Sequence, residues 1–131
     1  MISLTDLKKT IDLARAYHTK ECKPTIVNSS NIEEVIRMFA EAAPERKALD
    51  NHLCSLSYDD ILDLEGLMDY GRNLNPEFAD IFAKKHFEKH RKFFAKEYPT
   101  PDGKEEAIEY LIAKGPLADY LESAAKALEL I

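Results

Sequence analysis

Cysteine and glycine are scarce in this sequence, and long apolar runs are missing. Two cysteines in 131 residues, Cys22 and Cys54, make no disulfide framework, so the chain is held by packing and a reducing cytoplasmic setting is expected. The four glycines, Gly66, Gly71, Gly103 and Gly115, are too dispersed for either glycine-rich nucleotide fingerprint. No apolar stretch approaches the roughly 20 residues that a membrane-crossing helix needs, and no membrane association is expected. The start, MISLTDLKKTIDL, has no basic region leading into an apolar one, so no secretory signal is expected. No serine sits in a nucleophile-elbow pattern, no cysteine is paired with a base, and no twelve-residue calcium loop occurs. Strand-like alternation, internal repeats and low-complexity linkers are also missing.

What is present is an ordinary globular balance, 45% hydrophobic and 32% charged, in a length that suits one domain with its own core. The net charge of −6 is unevenly spread. Residues 1–72 carry 9 basic and 13 acidic side chains, residues 73–99 carry 6 and 4, and residues 100–131 carry 3 and 7. An acidic chain repels phosphate backbones, so no nucleic-acid partner is expected despite the locally basic middle.

Helical periodicity runs through the chain. Leu4, Leu7, Ile11 and Ala14 predict a first helix over about 4–18, with Ser3 or Thr5 as its cap. A loop follows, and a second helix starts near Asn31, where Ser30 with Glu33 or Asn31 with Glu34 has capping-box spacing and Ile32, Val35, Ile36 and Phe39 form the stripe. Pro44 opens a short third helix that buries Leu49 and Leu53. Ser57 with Asp60 begins a fourth, packed through Ile61, Leu64 and Met68 and stopped by Gly71 in a left-handed conformation. Asn75-Pro76 opens a long fifth helix to about Lys96. The turn PTPDG precedes a sixth helix over about 104–114, and Gly115-Pro116 starts the last, whose stripe is Leu117, Tyr120, Leu121, Ala124 and Leu128. The expectation is an all-α, single-domain bundle of about six to seven helices.

The segment HFEKH, residues 86–90, raises the question of a metal site. At about 100° per residue, with Phe78 as zero, Phe82 falls near 40°, Phe93 near 60°, His86 near 80°, His90 near 120° and Ala83 near 140°. That places both histidines inside the apolar stripe and Lys84, Lys85, Glu88, Lys89, Arg91 and Lys92 on the solvated side. The zinc-protease motif has its glutamate directly after the first histidine, whereas Glu88 points away from both. No further ligand is identifiable, so no metal or other cofactor is expected. His18 and Cys22 with His52 and Cys54 have the stoichiometry of a zinc site but not its spacing, and read as buried thiols and surface histidines. Asp59, Asp60, Asp63 and Asp69 read as a solvated helix face and cap.

Two segments, DLEGLMDYGR at 63–72 and EYLIAKGPLADYLESAAKAL at 109–128, resemble a family of small, mainly proteobacterial proteins classed as a domain of unknown function. Leu64, Leu67, Gly71 and Arg72 match its first element. Tyr110, Leu111, Pro116, Leu117, Asp119, Tyr120, Leu121 and Glu122 match the second and more specific one. Asp69 stands where that family has tryptophan, and Asn73 where it has glycine after the arginine. The resemblance implies an all-helical fold and supplies no reaction.

With no catalytic constellation, the expected function is a non-enzymatic bacterial helical module that binds a protein partner or itself. The alternative is a small-molecule or metal-using enzyme with an interhelical site around His86 and His90. Candidate ligand- or partner-binding residues are Arg72, His86, His90, Tyr110, Asp119 and Tyr120, with an Arg72–Asp119 or arginine–tyrosine contact joining the two family-like segments.

Overall fold

The computed structural model describes residues 1–21, 44–75 and 79–131. Among these are six α-helices and no strand: α1 Leu4–Glu21, α2 Pro44–Ser55, α3 Tyr58–Arg72, α4 Ala83–Glu97, α5 Lys104–Ile112 and α6 Leu117–Ala127, with a single 3₁₀ turn, Pro101–Gly103, before α5. The expectation of an all-α bundle holds. The helix expected from Asn31, and Cys22, lie outside the described residues. No helix among the described residues is long and apolar enough to cross a membrane.

Several helix ends follow the local signals. Ser57 Oγ accepts the Asp60 amide at 3.1 Å, and Ser3 Oγ accepts that of Asp6 at 3.2 Å, each supplying an acceptor to an unpaired first-turn N–H. Pro44 is the first residue of α2, where its missing N–H costs nothing. Of the long helix expected from Asn75-Pro76, Pro76 and Phe78 lie outside the described residues, and the described helix starts at Ala83. Asp80 explains the delay, because its Oδ1 accepts the Phe82 amide at 2.9 Å. That local side-chain bond competes with the helical one.

α3 is the axis of the bundle. Every residue from Ile61 to Gly71 is buried, with α4 and α6 packed along it, α5 against one end, α1 on α2 and α6, and α2 on α5. Two glycines let the neighbours in. A Cβ on Gly66 would lie 2.9 Å from the Arg91 Cβ of α4, and one on Gly71 would overlap the Tyr120 carbonyl of α6, 2.7 Å from its carbon. Five residues apart on a helix are about 140° apart around it, so each glycine serves a different neighbour. Gly71 is therefore no left-handed stop: it is helical, and the described residues hold no glycine with positive φ. α3 ends one residue later, at Arg72, with Asn73 as its cap.

The same packing reverses two other expectations. His52 is buried in α2, its Nε2 2.8 Å from Thr10 Oγ1 of α1, and His18 is buried as well. Cys54 is an exposed free thiol.

Candidate functional site

The site grows from three carboxylates on α3 that the sequence pattern assigns to solvent or leaves unremarked. Asp63 and Asp69 are buried, 4% and 9% exposed, and Glu65 is fully buried. On the wheel, Asp63 and Asp69 flank Gly66, so both face α4. α4 answers with two side chains. Arg91 Nε donates to Asp63 Oδ1 at 2.6 Å, and Asp63 also takes the Ile2 amide at 2.8 Å. His90 Nδ1 donates to Asp69 Oδ2 at 2.5 Å, while Arg72 Nη2 donates to the other oxygen at 2.5 Å.

This geometry corrects the reading of α4. Its buried face is Ala83, Phe87 and Phe94, and Arg91 belongs to that side rather than to solvent. Phe82 and Phe93, which the periodicity places in the apolar stripe, are 58% and 57% exposed. The histidines flank the buried face instead of centring it: the side chains of His86 and His90 are 48% and 27% exposed. The physical reason is that α3 meets α4 through carboxylates. A face with partners for Arg91 and His90 outcompetes one that offers only two more phenylalanines.

Each histidine is locked from behind. His86 Nδ1 donates to Asp80 Oδ2 at 2.7 Å, and the Tyr70 hydroxyl donates to the same oxygen at 2.9 Å. The His86 bond, with the Tyr70 and Phe82 donors, holds the Asp80 carboxyl below the usual carboxylate range. Burial and the adjacent Asp80 push the Tyr70 phenol up. Since a carboxylate only accepts, the ring proton facing it is on Nδ1, and Nε2 of each histidine is left to face outward.

Both histidines line two adjoining cavities. One, about 300 Å³, is walled by Tyr70, Asn73, Leu74 and Asp80. The other, about 760 Å³, lies between the end of α3, α4 and α5, and is walled by Arg72, Phe93, Phe94 and Tyr110 with Lys89, Lys92 and Lys96 around it. Of the six residues expected at a site, the fold thus brings Arg72, His86, His90 and Tyr110 to one cleft. Asp119 and Tyr120 are elsewhere. Asp119 is exposed and sits 3.5 Å from Arg15, whose nearer partner is Glu122 at 2.8 Å. Tyr120 packs partly buried against the core, and it is its backbone that meets Gly71. The two family-like segments are joined by that backbone contact, not by an Arg72–Asp119 pair.

Asp69 and Asp80 were missed as site residues. Nothing in their spacing announces a partner 21 or 6 residues away: the α3–α4 crossing creates the Asp69–His90 pair, and the turn before α4 brings Asp80 back to His86 and to Tyr70 of α3. Glu65 is a separate case. Neither of its oxygens has a hydrogen-bond partner among the described residues, and burial, helped by the charge of Asp69, pushes its carboxyl up to about 8 against the opposing effect of Lys114. Among the described residues no three histidine, cysteine or acidic side chains are grouped to hold a metal ion. Comparison with protein-family models, curated proteins and solved structures finds no match for the chain.

Proposed function

We propose that the protein is a non-enzymatic helical docking module of the bacterial cytoplasm that takes an acidic, apolar-anchored segment of a partner protein along the outer edge of α4. One observation carries this. Away from the chain ends, the large apolar side chains left exposed among the described residues are Ile81, Phe82 and Phe93. All three sit on or just before α4. Phe82 and Phe93 are eleven residues apart, about three turns, and so share one side of the helix with His86 and Lys89 between them. Burying each phenylalanine on a partner is worth about 1.5–3 kcal/mol.

Charge selects the partner. α4 carries six lysines and arginines against two glutamates, while the chain as a whole is at −6. A basic strip on an acidic body steers acidic segments and repels most cellular protein surfaces of its own sign. Nucleic acid is the poorer fit, because the net charge of −6 opposes a phosphate backbone. The exposed Cys54 thiol suits a reducing compartment. Membership of the resembled family is part of this reading, and the packing of Gly71 on Tyr120 supports treating its two elements as one recurrent unit.

The test is selection from a random peptide display library on immobilised protein. The expected result is an enriched consensus rich in Asp and Glu with an aromatic or leucine anchor, lost on Phe82→Ser and on Phe93→Ser. No consensus, or one indifferent to both changes, overturns the reading.

A further inference from the structure

The cleft behind that edge has a chemistry of its own. Its walls are apolar on one side, from Phe93, Phe94 and Tyr110, and polar on the other, from the cations Arg72 and Lys89 and the rings of His86 and His90. The one carboxylate in its lining, Asp69, is already engaged by both Arg72 and His90. We infer that this cavity is a binding site for a small organic acid, a carboxylate or phosphate ester carried on an apolar body.

Four observations converge on that class. Arg72 commits only Nη2 to Asp69, and its side chain is 41% exposed, which leaves the rest of the guanidinium fork to donate into the cleft. His86 and His90 are each oriented through Nδ1 by a carboxylate, and neither Nε2 has a partner among the described residues. Each Nε2 therefore faces the cleft as a polar atom fixed in position by the carboxylate behind the ring, ready to hydrogen-bond a bound acid head group. The volume, about 760 Å³, is far more than an inorganic anion fills and falls within the roughly 300–1,000 Å³ of small-molecule sites. The ring of Tyr110, 5.9 Å from Phe94 and capped by Lys114 at 4.4 Å, gives the ligand body a flat aromatic wall. The cleft adjoins the docking edge and shares Phe93, His86 and Lys89 with it, while Phe82 belongs to the edge alone.

The experiment is a protein-observed NMR titration of the full chain with phenyl phosphate, phenylacetate, inorganic phosphate and benzylamine. Saturable shifts at Arg72, His86, His90 and Tyr110 are expected with one or both aromatic acids, and which of the two binds tighter separates phosphate from carboxylate as the preferred head group. Inorganic phosphate is expected at least about tenfold weaker, and benzylamine should not bind. Arg72→Gln should weaken the aromatic acid about tenfold, and so should the exposed-site change Lys89→Glu, which leaves the Asp69 contacts intact. Phe82→Ser should change nothing here, so a failed docking edge and a failed cleft are read separately. No saturable shift with either acid, equal binding of benzylamine, or unchanged affinity in Lys89→Glu and Arg72→Gln overturns the inference.

Discussion

Glu65 invites a direct test of how the bundle is balanced. It is fully buried on α3, neither oxygen has a hydrogen-bond partner among the described residues, and its carboxyl is held near 8 rather than 4.5, chiefly by burial. Near neutral pH the folded protein therefore keeps it protonated, whereas the unfolded chain ionises it. Between about pH 4.5 and 8 the folded state binds the extra proton, so this group's contribution to stability falls as pH rises through that window. The full loss, reached above the folded value, is on the order of 5 kcal/mol, an upper bound because water entry and relaxation lower the cost of a buried charge. Glu65→Gln keeps the shape and removes the titration. Urea unfolding followed by circular dichroism, for both proteins at about pH 5, 7 and 9, gives the difference curve. The two should be close at the acidic end. The variant should be ahead by several kcal/mol at the alkaline end, with a slope of at most about 1.4 kcal/mol per pH unit between. Parallel curves would refute the reasoning, for they would mean that Glu65 is solvated or paired in the folded protein.

Two further changes probe the packing and the buried histidine. Gly71→Ala pits two rules against each other: helix propensity alone favours alanine by about 1 kcal/mol, but the added methyl overlaps the Tyr120 carbonyl, backbone that cannot step aside. A net destabilisation of about 2–3 kcal/mol in chemical denaturation is expected, and a rise in stability would show that α3 and α6 are not this close. His52, bonded to Thr10, has its pKa lowered from 6.5 by burial. The unfolded chain thus takes up the proton first, and the stability His52 supplies is present above about pH 6.5 and lost as pH falls toward its folded value. His52→Gln should flatten that acid-side loss in thermal melts, and an imidazole that titrates at its ordinary pH in NMR would sink the claim.

The helical class and most of the helix positions follow from short-range pattern along the chain. The i, i+3, i+4 stripes of α1, α2, α3 and α6, the Ser57 cap and the Pro44 start are local properties, fixed by backbone geometry and by which neighbours lie one turn away. Arg72, His86, His90 and Tyr110 were also legible as residues worth watching, through their types and the family-like segments. Which way α4 faces is settled by packing between helices. That helix has two apolar edges, Phe82 with Phe93 and Phe87 with Phe94, and its periodicity does not rank them. The choice falls to α3, where Asp63 and Asp69 wait beside Gly66 for a cation and an imidazole, and where a glycine lets the backbones close. Buried charge is settled by a partner from a distant part of the chain, and so are the exposure of Phe82 and Phe93, the orientation of both histidines and the cleft between them.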